Sequence, residues 1–146
     1  MTVEIRALQE DDDRSAFRSG DAALDLYFHA YAGQNQFRHH IGVTYVAALG
    51  HRILGFVTVC TATLDAEELS SGHRMPPYPL PVLRVARLAT DERARGRRVG
   101  RALLQFSVEL AERQRDEVGC VGVLVDAKPD AIPFYERFGY VALEAL

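Results

Sequence analysis

No stretch of this 146-residue sequence approaches the twenty or so consecutive apolar residues that a membrane span needs, so a membrane-spanning role is not read from it. The amino terminus, Met1-Thr2-Val3-Glu4-Ile5-Arg6, lacks a basic segment followed by an apolar one. No secretion signal is read there, and a cytoplasmic setting is the expectation. Cysteine is scarce. Cys60 and Cys120 are the only two, both sit in apolar runs without a metal-ligand neighbour at useful spacing, and both read as buried thiols. A net positive charge is also missing: the formal charge is -3, which argues against broad nucleic-acid affinity, since that rests on neutralising phosphates. Internal repeats and low-complexity tracts are absent. The length fits one domain over residues 1–146, able to bury roughly two thirds of its unfolded surface.

What is present is arginine in one place. Seven of the chain's sixteen arginines fall between Arg84 and Arg101, while acid gathers in Glu10-Asp11-Asp12-Asp13, so the surface is expected to be electrically lopsided. The arginine-rich stretch reads as a strand, a charged turn, and a glycine- and arginine-rich loop opening a long helix. The first amides of a helix have no partner within it and sit at the positive end of its dipole, which suits phosphate. Glycine lets an anion approach the backbone, and arginine adds charge-assisted hydrogen bonds. Taken alone, the stretch fits a phosphate site and a solvated surface loop equally well.

The pattern along the chain predicts a mixed α/β domain. Val3 to Leu8 alternates as a half-exposed strand. Asp21 is placed to cap a helix over Ala22 to Ala32 that ends at Gly33, and Gln34 to His40 is polar and ambiguous. A hairpin follows, Val43 to Ala48 and Ile53 to Ala62 about a Gly50-His51 turn, its second arm apolar enough for an inner strand. Asp65 to Pro81 is a proline-rich loop containing Glu67 and Glu68, to which no role is given. A strand over about Val82 to Thr90 leads to the arginine loop. The helix beyond spans about Val99 to Arg115, with Val99, Leu103, Phe106 and Leu110 on its apolar face. Cys120 to Val125 reads as a parallel strand covered on both sides, and Asp130 as the cap of a short helix with Pro133 in its first turn and Gly139 at its end. Tyr140 to Leu143 reads as a last strand. His39-His40 is a surface pair, since neighbouring side chains point apart, and no metal site is expected.

Two motifs carry a resemblance. Arg95-Gly96-Arg97-Arg98-Val99-Gly100, between strand and helix, and the Ala-x-x-Phe-Tyr-x-x-Phe-Gly-Tyr run from Ala131 to Tyr140 resemble the GNAT superfamily of acetyl-CoA-dependent N-acetyltransferases. More narrowly, Phe17-Arg18-Ser19-Gly20 with Ala23-Leu24-Asp25, then Ala32-Gly33-Gln34 and Thr44-Tyr45-Val46-Ala47, are similar to the toxins that acetylate aminoacyl-tRNA. Tyr78-Pro79-Leu80-Pro81 and Ala86-Arg87-Leu88-Ala89 are similar to that subfamily as well. The fold implied is a mostly antiparallel sheet with a central parallel strand pair and flanking helices. The family's usual last strand is missing here, leaving a gap to be closed by direct pairing, by a partner's strand, or not at all.

The resemblance implies acetyl-CoA as acetyl donor. Its diphosphate would lie on Arg95, Gly96, Arg97, Arg98, Val99, Gly100 and Arg101, and its pantetheine and thioester along the backbone of Leu88, Ala89 and Thr90. Arg98 replaces a glycine of the family pattern, so either its backbone is strained or its side chain adds a phosphate contact. Tyr135 is implied as the general acid that protonates the departing thiolate. Arg38, Arg84, Arg87 and Arg93 are candidates for a basic path to a tRNA acceptor end, with ion pairs to Asp91 or Glu92 as the competing account. The implied partners are aminoacyl-tRNA, a ribbon-helix-helix antitoxin and a second copy in a homodimer. Two other readings stay open. One is the same chemistry on a small-molecule or protein amine, and the other a protein that binds CoA or an antitoxin without turnover.

Overall fold

The structure, a computed structural model, describes residues 2–65, 76 and 79–143. Stretch 66–75 with Glu67 and Glu68, and Tyr78 of the Tyr78-Pro79-Leu80-Pro81 segment, lie outside the described residues. Five strands form one sheet in the order β1-β2-β3-β4-β5, from β1 (Glu4–Ala7), β2 (Val43–Leu49), β3 (Arg52–Leu64), β4 (Leu80–Thr90) and β5 (Val123–Val125). The first four are antiparallel neighbours, and β4 and β5 are parallel at the end of the sheet.

β3 is apolar nearly throughout because both of its faces are covered. Leu54, Val57 and Val59 join Val85, Val99 and Leu103 under the long helix α3 (Val99–Glu117), the apolar stripe of which packs as its spacing requires. Phe56, on the other face, meets Phe28 ring to ring at 4.3 Å and Phe17 at 5.5 Å, and all three rings are fully buried. Burying one such ring is worth about 1.5–3 kcal/mol, so this trio anchors the helical layer on that side. Gly55 lies between the two layers. A Cβ there would stand 2.7 Å from Val99 Cγ1 and 3.0 Å from the Ala89 carbonyl, so a side chain would push α3 off the sheet.

That helical layer departs from expectation. Asp21 does cap α1 (Ala22–Leu26), accepting from the amides of Ala23 and Leu24. The helix does not end at Gly33, however. It widens into a π turn at Tyr27–Tyr31 and continues as α2 (Ala32–Phe37). Arg14 explains both features: its Nη1 donates to the Phe28 carbonyl at 2.9 Å, and a Cβ on Gly33 would lie 3.1 Å from its Nη2. The glycine makes room for a guanidinium and is no helix stop.

Three further expectations are corrected. The run from Cys120 forms a strand only over Val123–Val125, half-buried, because neither α3 nor α4 (Ile132–Glu136) covers it fully. Tyr140 to Leu143 forms no strand. β5 therefore keeps one edge without a strand neighbour among the described residues. The helix after Asp130 is preceded by a 3-10 turn, Pro129–Ala131, and Ala131 rather than Asp130 stands at its cap, with Pro133 in the first turn as expected. Cys120 is buried and Cys60 half-buried, and both thiols are free. No helix among the described residues is long and apolar enough to cross a membrane.

Candidate functional site

The site begins where β4 outruns its neighbour. The parallel ladder ends with Val85 opposite Val125, yet β4 continues to Thr90, so its last five residues, Ala86 to Thr90, have no strand partner on that side among the described residues. Leu88, Ala89 and Thr90 stay paired with β3 across the other edge. A sheet edge opened in this way presents backbone groups to whatever lies in the gap.

Asp91 then turns the chain. Its carboxylate, 1% exposed, accepts from the backbone amide of Arg93 at 2.8 Å, from Arg93 Nε at 3.0 Å and from the backbone amide of Arg18 at 3.1 Å. Burial pushes this carboxyl up, but the hydrogen bonds from Arg93 and Arg18 outweigh it and hold the pKa below the usual carboxylate value. A 3-10 turn over Glu92–Ala94 follows, and the chain reaches Gly96 at φ 84 and Arg98 at φ 58, ψ 30. The left-handed bend suits Gly96 and strains Arg98 by about 1 kcal/mol or more.

α3 starts there. Its first helical hydrogen bond runs from the Ala102 amide to the Arg98 carbonyl, so the amides of Val99, Gly100 and Arg101 have no intrahelical partner. They face a cleft of about 610 Å³ walled by Thr90, Arg95, Gly96, Arg98, Gly100 and Arg101 on one side and by Phe134, Arg137 and Phe138 on the other. Arg98 is exposed and borders the cleft, so a strained backbone and a solvent-accessible side chain coexist at this position. Four arginines, three unpaired amides at the positive end of a nineteen-residue helix and two phenylalanine rings make a donor set for a phosphorylated ligand with an aromatic part. The cleft lies within the usual volume range for small-molecule sites, and the residues present fit the diphosphate of acetyl-CoA.

The expected residues are distributed unevenly. Arg95, Gly96, Arg98, Val99, Gly100 and Arg101 all border the cleft, with Thr90 at its head. Arg97 does not line it, and neither do Leu88 and Ala89, which belong to the open edge below. Arg95 Nη2 is also tied to the Ser19 carbonyl at 2.7 Å. Arg137, Phe134 and Phe138 line the cleft without a sequence signal that marks them as binding residues. They arrive from a helix more than thirty positions away, and only the Ala131 to Tyr140 motif hinted at that segment.

Tyr135 sits on α4 beside Phe134, whose ring end would lie 3.4 Å from a Cβ on Gly100, so α4 is packed against the start of α3. The Tyr135 ring meets Phe134 edge-on at 5.2 Å and Tyr140 at 5.6 Å, and it does not itself line the cleft. Its hydroxyl makes no hydrogen bond to a described residue, and burial raises its pKa above the ordinary phenol value. Tyr140 is a second phenol, to which the sequence assigns no chemical role. Its oxygen is buried without a hydrogen-bond partner among the described residues, and burial, reinforced by the neighbouring Tyr135, pushes its pKa up to about 12.

The four arginines proposed as a substrate path do not act alike. Arg84 pairs with Asp126, and Arg93 is held by Asp91, which is the competing account. Arg87 stacks its guanidinium on the Tyr27 ring at 3.8 Å, and Arg38 is exposed just after α2. His39 and His40 are both exposed, as a surface pair would be.

Comparison with known proteins adds three findings. A family model described as an acetyltransferase (GNAT) domain matches residues 40–142. A tRNA-acetylating toxin of Mycobacterium tuberculosis (strain ATCC 25618 / H37Rv) is 30% identical over 139 residues, covering 92% of this chain and 82% of the relative. Among solved structures, AtaT complexed with acetyl-methionyl-tRNAfMet gives a TM-score of 0.87 at 25% identity, covering 96% of this chain and 87% of that one. AtaTR bound with AcCoA gives 0.81 at 26% identity, covering 95% and 86%.

Proposed function

Because the chain belongs to the GNAT family of acetyltransferases, we propose that it moves an acetyl group from acetyl-CoA to the α-amino group of an aminoacyl-tRNA. In this reading it is a toxin that blocks translation in the cytoplasm, works as one domain and is neutralised by an antitoxin. The observation that carries the reading is the unpaired stretch Ala86 to Thr90 running directly into the arginine-lined cleft, since it offers one continuous track for a thioester arm and a diphosphate. The tRNA-acetylating relative and the likeness to AtaT with acetyl-methionyl-tRNAfMet support this acceptor.

The chemistry assigned to the chain's own residues is short. The neutral amine attacks the thioester carbon, and the carbonyl oxygen takes up negative charge beside those backbone amides of the Leu88 to Thr90 stretch that point away from β3. The C–S bond then breaks as the C–N bond is kept. Tyr135 supplies a proton to the thiolate and is reprotonated through solvent, which takes up the surplus proton of the amine. An α-amino group with a pKa near 8 is already partly neutral at cellular pH, so no strong base is needed.

One observation favours a second acceptor class. With Arg84 and Arg93 engaged by carboxylates, the basic path is thinner than the sequence suggested, which suits a small-molecule or protein amine. Incubation with labelled acetyl-CoA and charged tRNA separates the two. Label on the esterified amino acid is expected, and label only on free or protein amines with bare tRNA-bound amino acid overturns the tRNA reading.

A further inference from the structure

The charges around the cleft exceed what a diphosphate requires. Arg98, Arg101 and Arg137 all border it, and none pairs with a carboxylate among the described residues. The amides of Val99, Gly100 and Arg101, about half a positive charge from the α3 dipole, and Arg98 at the cap suffice for a diphosphate. Arg101 and Arg137 are then left over. They come from different elements, the first turn of α3 and the residue closing α4, and both border the cleft beside Phe138. The Arg101 guanidinium carbon is 5.8 Å from the centroid of the Phe138 ring, and that ring is 36% exposed.

We propose that Arg101, Arg137 and Phe138 form a subsite for a phosphomonoester on an adenosine, so that the protein reads the 3′-phosphate of acetyl-CoA and discriminates against carriers that lack it. The inference rests on the acetyl-CoA reading above. A phosphomonoester carries close to two negative charges at neutral pH, and two guanidiniums from separate elements grip it from two directions. A flat purine finds a partner in the Phe138 ring. Arg95 takes no part, being tied to the Ser19 carbonyl.

Calorimetric titration tests this directly, and it is the method of choice because the chain has no tryptophan to report binding by fluorescence. Acetyl-CoA and acetyl-3′-dephospho-CoA are titrated into the wild-type protein, Arg137→Gln and Arg101→Gln, each first checked for an unchanged thermal transition. The wild type is expected to bind acetyl-CoA roughly tenfold to a hundredfold more tightly than the dephospho form. Each variant is expected to lose about tenfold for acetyl-CoA and little for the dephospho form. Equal affinities in the wild type, or a ratio unchanged in both variants, overturn the subsite while leaving acetyl-CoA binding intact. Failure of the wild type to bind either ligand overturns the acetyl-CoA reading itself.

Discussion

The backbone amide of Arg18 donates to the buried carboxylate of Asp91 across 3.1 Å, and the Arg18 carbonyl accepts from the Glu92 amide at 2.8 Å. Seventy-three positions of chain are closed by this reciprocal pair. It ties the segment ahead of α1, on one face of the sheet, to the turn that leads into the arginine-lined cleft. Arg93 Nη2 on the Ala16 carbonyl and Arg95 Nη2 on the Ser19 carbonyl repeat the tie on either side.

Removing the Asp91 carboxylate therefore strands backbone donors of both segments. Asp91→Ala is expected to cost about 1–3 kcal/mol, the penalty for leaving a buried donor unsatisfied, and Asp91→Asn less, because the amide oxygen still accepts. Urea unfolding at constant m-value measures it. A midpoint equal to wild type for Asp91→Ala means the tie contributes nothing.

Acid should loosen the same region and one other. Arg6 donates to Asp12 through both nitrogens, at 2.8 and 2.9 Å, and this hydrogen bond, opposed by burial, lowers the Asp12 pKa. Asp91 is lowered as well. A carboxyl whose folded pKa lies below its unfolded value near 3.9 contributes fully above about pH 5 and loses that contribution as pH falls through the folded value. The thermal midpoint should thus vary little from these groups between pH 7 and 5 and drop below about pH 4. Asp12→Asn should show a shallower acid drop than wild type. Parallel curves for the two proteins would remove Asp12 from the explanation.

Tyr135→Phe keeps the ring packing against Phe134 and Tyr140 and removes only the hydroxyl. Turnover is expected to fall by about a hundredfold or more, with acetyl-CoA affinity within about twofold of wild type. Because burial raises the phenol's pKa, the group stays protonated throughout the neutral range. The wild-type rate should rise as the acceptor amine deprotonates near pH 8 and not decline until above about pH 10. Stopped assays at saturating acetyl-CoA decide this, and an unchanged kcat in the variant removes Tyr135 from the chemistry.

Arg98→Gly separates strain from binding. Glycine accepts φ 58 without penalty, which favours the folded state by about 1 kcal/mol, partly offset by the greater freedom of glycine in the unfolded chain. The thermal midpoint should hold or rise slightly while the Kd for acetyl-CoA increases severalfold. A weaker fold together with unchanged Kd contradicts both halves.

The sequence is a good guide wherever one face of an element decides its own pattern. The apolar run of β3, the stripe of α3 and the Asp21 cap are local patterns set by burial and capping, and the structure has them. Gly33 misleads because glycine has two uses, and only tertiary contact with Arg14 reveals which applies. The contiguous part of the cleft, Arg95 to Arg101, is legible as a loop before a helix. Arg137 and Phe138 are not, since periodicity cannot say which distant turn will close over that loop. Asp91 and Glu92 appear in the sequence as charges near arginines. That Asp91 is sealed in the interior follows only from the approach of Arg18.

The pairing of β3 with β4 slips by one residue between Thr58 opposite Arg87 and Val59 opposite Val85, leaving Ala86 as surplus. Before the slip, Leu83 and Val85 face α3; after it, Leu88 does, while Arg87 stands over Tyr27 and Ala89 joins the aromatic layer. Were Ala86 instead paired in the ladder like its neighbours, the alternation would run on unbroken and the guanidinium of Arg87 would be driven among the aliphatic side chains beneath α3. A single alanine with no chemistry of its own thus sorts which side chains of this strand meet solvent and which meet oil.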